Sequence, residues 1–338
     1  MRTRRLWVFA LAALLLTAFL LFTSAAVARF LSPIGVQSAT AADPLDGPLA
    51  LRIWYPRTPG FGDRIKGTAL PLIVISHGTG GSALGHSDTA RALARAGFIV
   101  VALTHAGDNY RDQSYAGRGL NLVRRPGQIA YAIDYMLASW PHHDVIDPQR
   151  IGMFGFSAGG FTTLVVAGGS PDLSRGAAHC RTQPGSWGCI YVRSHGWEPG
   201  AHPEGPQRPW IHDPRVKAAV VAAPAVGYSF EPDHLANVVI PIQLWGGDHD
   251  RIIDDSALIV RRLLPPQTEF HLVRSAGHFS FMAPCSWSGR AIVAIGERFG
   301  VPAVCRDPAG FDRRAFHAAF NDAVVAFFTA KLKRSGPV

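Results

Sequence analysis

Segment 150–167 constrains the fold of this 338-residue chain more than any other segment. It begins with RIGMFGF, a short apolar run typical of a buried strand, and ends in a helix of small residues. Between them lies Gly155-Phe156-Ser157-Ala158-Gly159, a G-x-S-x-G pentapeptide. A sharp strand-to-helix turn of this kind exposes its serine above a sheet and needs glycines where side chains would collide. The segment therefore predicts a strand–turn–helix unit with Ser157 as a nucleophile.

Strands alternate with helices on both sides of this unit. The predicted strands are 49–55, 70–76, 98–103, 216–222, 240–245 and 269–273, and the predicted helices are 88–96, 126–140, 256–264 and 313–332. Such alternation is typical of a parallel sheet covered by helices on both faces. We therefore predict an α/β fold with a mostly parallel, doubly wound sheet in one domain spanning 49–338.

The N-terminal residues predict export. Three arginines precede an uncharged apolar run, and Ala26-Val27-Ala28 fits the small-x-small rule for signal peptidase. The run approaches the roughly 20 residues that span a bilayer, so 1–28 is either a cleaved signal peptide or a membrane anchor. We expect a periplasmic or secreted protein, with a linker at 29–48.

Cysteine usage agrees with export. The chain has four cysteines, and an even number in an exported chain predicts disulfides. Sequence proximity favours Cys180–Cys189 and Cys285–Cys305 among the three connectivities that four cysteines allow. No C-x-x-C or C-x-H spacing supports zinc, and we expect neither a metal nor a cofactor.

The net charge is +9, from 33 Lys and Arg against 24 Asp and Glu, without a basic patch interleaved with aromatics. We therefore expect no nucleic-acid partner. Separately, we expect a monomer, with membrane association through the N-terminal segment if that segment is retained.

The segment 168–213 lacks a clear period and is rich in Gly, Pro, His and large aromatic residues: Trp187, Tyr191, Trp197 and Trp210. Loops of this length often form lids or binding loops. Two interpretations stay open: a lid, or an insertion whose aromatics pack onto the core.

A serine nucleophile needs a base at hydrogen-bond distance and an acid that orients this base. His278 follows the predicted strand 269–273 and is our predicted base. Asp250, in the turn GGDHD after strand 240–245, is the predicted acid, and Asp248 in the same turn is the alternative.

The developing oxyanion needs backbone N–H donors. Ala158 follows the nucleophile and supplies one of them, and the loop HGTGG at 77–81 supplies the other, through Thr79 or, as the alternative, Gly80. No G-K-[ST] or G-x-G-x-x-G follows, which argues against a phosphate-binding loop. His77 precedes the nucleophile in the chain, whereas the base of this fold follows it. We therefore expect His77 to support this loop and not to act as the base.

With these residues in place, the chain resembles a dienelactone-hydrolase-like family of exported bacterial proteins with the α/β-hydrolase fold. It is more distantly similar to platelet-activating-factor acetylhydrolases and cutinase-like polyester hydrolases. The resemblance is carried by ISHGTGGS, THAGDNY at 104–110, RRPGQI at 124–129, GFSAGG, GGDHD, SAGHFSFMAPC and FDRRAFH at 311–317. It implies hydrolysis of carboxylic esters, and the order Ser157, Asp250, His278 is the one expected for this fold.

Two departures from these families matter. Dienelactone hydrolases carry a cysteine nucleophile where this chain has Ser157, so dienelactone cleavage is not implied. Platelet-activating-factor acetylhydrolases place their acid after an earlier strand, and the corresponding stretch 222–226 has no carboxylate, which leaves that role to Asp250.

The leading hypothesis is an exported serine esterase that forms an acyl-enzyme on a small-molecule ester or lipid substrate. The alternatives are a lipase or phospholipid deacylase, a polyester hydrolase, an acyltransferase, and a binding protein without catalysis.

Overall fold

The computed structural model of the protein describes residues 31–199, 210–299 and 302–333. The strands are β1 (Ile34–Ala41), β2 (Leu49–Pro56), β3 (Leu70–Ser76), β4 (Ile99–Thr104), β5 (Ile146–Phe156), β6 (Val216–Ala222), β7 (Ile242–Gly247) and β8 (Glu269–Val273). The helices are α1 (Ser87–Arg95), α2 (Gly119–Ala138), α3 (Ala158–Val166), α4 (Arg175–Thr182), α5 (Trp187–Ser194), α6 (Pro232–Leu235), α7 (Ser256–Leu263), α8 (Trp287–Gly296) and α9 (Arg313–Leu332).

In these three ranges, no helix has the length and apolar character needed to cross a membrane. The predicted signal peptide or anchor at 1–28 lies outside them.

All eight strands form one sheet in the order β1-β2-β4-β3-β5-β6-β7-β8. The ladders β1–β2 and β2–β4 are antiparallel, and every ladder from β4–β3 to β7–β8 is parallel. Parallel neighbours need crossover connections, and helices supply them here on both faces of the sheet. The predicted doubly wound, mostly parallel sheet is therefore confirmed.

Side chains of the central strand β3 alternate between two apolar cores. Ile73 and Ile75 face the core that contains α1 and α9, whereas Leu72 and Val74 face the core that contains α2. Fully burying one such side chain stabilises a fold by about 1.5–3 kcal/mol. This two-sided burial explains why β3 is an uninterrupted apolar run, and it fixes the carboxyl end of β3 beside that of β5.

Strand β1 lies within 29–48, where we predicted a linker. It pairs with β2 over its whole length and buries Ile34 and Ala41 at its two ends. Its sequence IGVQSATA has few large apolar residues, and the antiparallel ladder to β2 supplies the stability that side chains do not. The folded domain thus begins at β1, before residue 49.

Helix α2 begins at Gly119, earlier than the predicted start at 126, and contains Pro126 in its interior. A proline there removes the N–H bond to the preceding turn, which is why the sequence favoured a helix start. The first turns persist because Arg125 is buried in polar contacts with Asp108 and the His77 carbonyl, and it also donates to the buried Asn121 one turn earlier.

Both predicted disulfides are confirmed. Cys180–Cys189 joins α4 to α5, and Cys285–Cys305 closes the excursion that contains α8. Such bonds are typical of proteins in oxidising compartments. The segment 168–213, for which no period was found, thus contains two short cross-linked helices.

Among the buried histidines of the described residues, three have a lowered pKa: His77, His86 and His105. Burial is the main cause that lowers the pKa of each. The pKa of His77 falls to about 3, with the Arg125 charge as a second cause, and that of His86 falls to about 4. The pKa of His105 also lies well below the ordinary value of 6.5. His86 packs against the rings of Phe154 and Phe156, at centroid distances of 5.0 and 5.3 Å.

These histidines predict loss of stability in mild acid. Below pH 6.5 these histidines bind protons in the unfolded chain but stay neutral in the folded chain. The free energy of unfolding therefore falls as pH falls. Each histidine contributes a slope of about 1.4 kcal/mol per pH unit, down to about pH 4 for His86.

Urea unfolding of wild type and His86→Phe at pH 8, 6 and 5 checks this expectation. The pH 8 values remove any pH-independent packing effect of the substitution. We expect a slope between pH 6 and pH 5 that is shallower in the variant by about 1.4 kcal/mol per unit. Equal slopes would contradict it.

Candidate active site

Ser157 lies at the junction of β5 and α3 in a strained conformation, with φ of 56° and ψ of −119°. Such backbone angles are unfavourable for a residue with a side chain and persist only where the surroundings enforce them. Here the Ser157 N–H donates to the carbonyl of Ala222 in β6 at 3.0 Å, and its own carbonyl accepts from Phe161 and Ala225. The predicted strand–turn–helix unit is present.

Two glycines of the pentapeptide are required by close packing. A Cβ at Gly155 would lie 2.1 Å from the carbonyl oxygen of Gly159, and a Cβ at Gly159 would lie 2.0 Å from that of Ser76. Real Cβ atoms do not approach backbone this closely. The G-x-S-x-G pattern therefore reflects how tightly α3 packs against β5 and the end of β3.

Ser157, His278 and Asp250 form a continuous hydrogen-bonded chain. His278 Nε2 lies 2.9 Å from Ser157 Oγ, and His278 Nδ1 lies 2.7 Å from Asp250 Oδ2. All three residues are at most 8% exposed. A neutral imidazole with its proton on Nδ1 donates to the Asp250 carboxylate and accepts from the serine hydroxyl, which is the arrangement that activates a serine.

The turn after β7 separates the two candidate acids. Asp250 Oδ1 accepts hydrogen bonds from the N–H groups of Ile252 and Ile253 at 2.9 and 3.2 Å, which leaves Oδ2 for His278. Asp248 is exposed, and its Oδ1 accepts from the Ser275 N–H at 2.6 Å. The structure thus brings Asp250 to His278 and places Asp248 as a brace between two loops.

The loop after β3 is a turn in which the Gly81 N–H donates to the Gly78 carbonyl at 3.1 Å. Gly80, its third residue, has a φ of 67°, which favours glycine. The Gly80 N–H donates to Asp108 Oδ1 at 2.8 Å and is therefore engaged. Of the two candidate donors, Thr79 is the one that borders the cavity at Ser157.

Ala158 borders the same cavity. As the first residue of α3, its N–H has no acceptor within the helix. The positive end of the α3 dipole favours negative charge at this point. The two predicted oxyanion donors thus border the cavity that Ser157 also lines.

His77 occupies the supporting position that we predicted, and its ring is not part of the hydrogen-bonded chain to Ser157. Its Nδ1 donates to the Gly78 carbonyl at 2.6 Å, and its Nε2 accepts from the His105 N–H at 3.0 Å. Both ring nitrogens are thus engaged by backbone, and burial, which lowers the pKa of His77, keeps the ring neutral.

The segment 168–199 forms one wall of the cavity. Trp187, Tyr191 and Trp197 line it, and so does Cys180 of the α4–α5 disulfide. Trp210 instead packs against Phe161, with ring centroids 5.8 Å apart. Of the four large aromatics in this region, three therefore face the cavity and one faces the core.

The motif FDRRAFH, to which the sequence assigned no role, reaches the loop that carries His278. His317 lies between the Asp88 carboxylate at 2.6 Å and the Ser280 carbonyl oxygen at 2.9 Å. Ser280 Oγ donates to Asp307 at 2.8 Å, and Arg313 pairs with the same carboxylate. The sequence signal for this role was the cluster of charged residues in the motif, at the start of the predicted helix 313–332.

Clusters of three or more His, Cys, Asp or Glu side chains that could hold a metal ion do not occur among the described residues.

Comparisons with known proteins agree with this geometry. The model of the prolyl oligopeptidase family matches residues 85–180, a range that contains the Ser157 turn. A ferulic acid esterase from Streptomyces cinnamoneus has a similar structure, with a TM-score of 0.55 and 18% sequence identity over 90% of this chain and 92% of that one. No curated protein matches the chain. The sheet order, the Ser157 turn and this structural likeness together show that the chain has the α/β-hydrolase fold.

Proposed function

We propose that the protein is an exported serine esterase that cleaves carboxylic esters through an acyl-enzyme intermediate. The observation that carries this proposal is the hydrogen-bonded chain from Asp250 through His278 to Ser157, which ends beside two candidate oxyanion donors in an open cavity. The fold shared with a protein named as a ferulic acid esterase supports the same reaction class. No part of the proposed chemistry needs a cofactor.

In the proposed mechanism Ser157 Oγ attacks the ester carbonyl while His278 Nε2 takes the hydroxyl proton. The tetrahedral intermediate collapses when His278 returns this proton to the leaving alkoxide, which departs as an alcohol. Water then attacks the acyl-enzyme by the same route and gives its proton to His278. The second tetrahedral intermediate collapses when His278 returns this proton to Ser157 Oγ, which releases the carboxylic acid and restores the Ser157 hydroxyl.

Two charges develop in each tetrahedral step, and each has a partner. The oxyanion points to the Thr79 and Ala158 N–H groups, and one such donor contributes about 2.7–4 kcal/mol to lowering the barrier. The imidazolium of His278 faces the Asp250 carboxylate, which is fixed by two backbone N–H groups. Because these groups are already in place, little reorganisation accompanies the reaction.

The cavity wall supports a small-molecule ester or lipid as substrate. Aromatic and aliphatic side chains make up most of its lining near Ser157, including Trp187, Tyr191, Trp197 and Tyr228. We propose that the segment 168–213 acts as a lid over this cavity. A lipase or phospholipid deacylase, a polyester hydrolase and an acyltransferase are the competing activities.

A substrate panel separates these activities. It contains p-nitrophenyl esters of increasing acyl length, a phospholipid, a polyester film, a prolyl peptide, and an ester with added alcohol acceptor. Preference for soluble short esters supports the proposal, and preference for another member reassigns the substrate.

The proposed compartment rests on two features. The two disulfides suit an oxidising environment, and the basic-then-apolar sequence of 1–28 suits an export signal. We propose export to the periplasm or the medium, with 1–28 either cleaved or retained as an anchor.

Replacing the nucleophile tests the reaction class. Ser157→Ala is expected to lower kcat for p-nitrophenyl acetate by about 10⁶-fold, because no hydroxyl remains to form the acyl-enzyme. Ser114→Ala, at an exposed serine, is the control and should retain turnover. A Ser157→Ala protein that folds and turns over at the wild-type rate would rule out the assignment.

The two aspartates of one turn provide a matched test of the acid. Asp250→Asn should lower kcat by about 10⁴-fold, because the amide no longer stabilises the His278 imidazolium or its tautomer. Asp248→Asn, two residues away and exposed, should leave kcat close to wild type. The reverse ranking in steady-state kinetics would reassign the acid to Asp248.

A further inference from the structure

Two motifs without an assigned role, THAGDNY and RRPGQI, meet in a buried ion pair. Arg125 Nε and Nη2 both donate to Asp108 Oδ2, at 3.0 and 2.5 Å. The two side chains are only 1% and 2% exposed. Taking two charges out of water is expensive, and apolar residues in place of such a pair are often neutral or stabilising. Fold stability alone is therefore a weak explanation for this pair.

The atoms that the ion pair leaves over bind the loop after β3 at two points. Arg125 Nη1 donates to the His77 carbonyl oxygen at 2.7 Å, and Asp108 Oδ1 accepts from the Gly80 N–H at 2.8 Å. These two backbone groups stand on either side of Thr79. Arg125 and Asp108 thus hold the loop on both sides of the residue whose N–H is the proposed oxyanion donor.

The pair also selects the donor. The Gly80 N–H, our alternative donor, is engaged by Asp108 and cannot turn to the oxyanion while that bond persists. The pKa of Asp108 is lowered: burial would raise it, but the charge of Arg125 and the Gly80 N–H bond outweigh burial. Asp108 is therefore ionised and a strong acceptor.

We infer that Asp108 and Arg125 are positioning residues for the oxyanion hole, which orient the Thr79 N–H by holding the His77 carbonyl and the Gly80 N–H. This inference rests on the proposed esterase function. Neither residue lines the cavity at Ser157. We expect their effect on the transition state and the tetrahedral intermediate, where the oxyanion forms, and not on ground-state binding of the ester.

The double variant Asp108→Asn/Arg125→Gln tests the inference without leaving either charge buried alone. We expect kcat for p-nitrophenyl acetate to fall about 10- to 100-fold while KM stays within about twofold. We also expect the inhibition constant of an alkyl boronic acid, whose serine adduct places an oxygen in the oxyanion hole, to rise by a similar factor. A purely structural role would leave the boronate affinity of the folded enzyme unchanged.

The control is the same double change at an ion pair away from the site, Asp213→Asn/Arg215→Gln. Asp213 is 4% exposed and bonds to Arg215 at 2.6 Å, and neither residue lines the cavity. This variant should change the urea midpoint without changing kcat or boronate affinity.

Arg125→Lys decides the matter if the double variant does not fold. It keeps both charges, but one ammonium cannot reproduce the planar fork that reaches both Asp108 and the His77 carbonyl. We expect a kcat about 10-fold below wild type and a matching loss of boronate affinity, at an unchanged KM.

The outcomes separate the two proposals. Wild type without esterase turnover and without boronate binding overturns the proposed function and this inference together. Active wild type, with folded variants that retain wild-type kcat and boronate affinity, overturns this inference alone. Equal losses of kcat and boronate affinity in the variants, with the control unaffected, support it.

Discussion

The close contact between the nucleophile turn and the end of strand β3 is the constraint on which the rest of the site depends. Gly159 lies so near the Ser76 carbonyl that no side chain fits between them. That approach sets the start of α3, and with it the Ala158 N–H, beside the loop that carries Thr79. It also holds Ser157 in its strained conformation, with further support from hydrogen bonds to β6 and the loop after it. The positions of Ser157 and of the two proposed oxyanion donors thus depend on this packing interaction.

Two buried histidines near this contact, His77 and His105, have both ring nitrogens in hydrogen bonds. His77 joins its own loop to His105, the residue after β4, and the His105 ring lies between Ser76 and Gln128 at 2.8 Å from each. Burial keeps both histidines neutral, so they hold fixed hydrogen bonds across the pH range in which an esterase works. A partly satisfied network would destabilise the fold, whereas a satisfied one specifies a single geometry. We regard this rigidity as the support for catalysis by preorganised groups.

Much of the fold could be predicted because its central strands are buried on both faces and its turns carry glycine. β3 and the Ser157 turn are examples. β1 could not, since its weakly apolar sequence forms a strand only through its ladder with β2. Nor could the start of α2, where contacts of Arg125 override the local preference of Pro126. In both cases interactions distant in sequence decide the local structure.

The candidate site shows the same division. Ser157, Asp250 and His278 were predictable because each follows a strand in the order that the fold requires, and the structure brings them together. The choice between Asp248 and Asp250 rested on turn pattern alone until their different partners could be compared. The positions of Asp108 and Arg125 could not be predicted, because their shared loop contact depends on how three separate segments converge. The sequence signal for a role of these two residues was that they lie in the motifs THAGDNY and RRPGQI.

Trapping the acyl-enzyme tests the central claim most directly. Wild-type protein mixed with p-nitrophenyl acetate and quenched in acid within the first turnover should carry one acetyl group by intact-mass spectrometry. Peptide mapping should then place this group on Ser157, and the same treatment of His278→Gln should give no adduct in that time. Release of p-nitrophenol without a covalent adduct, or acetylation at a residue other than Ser157, would contradict the account.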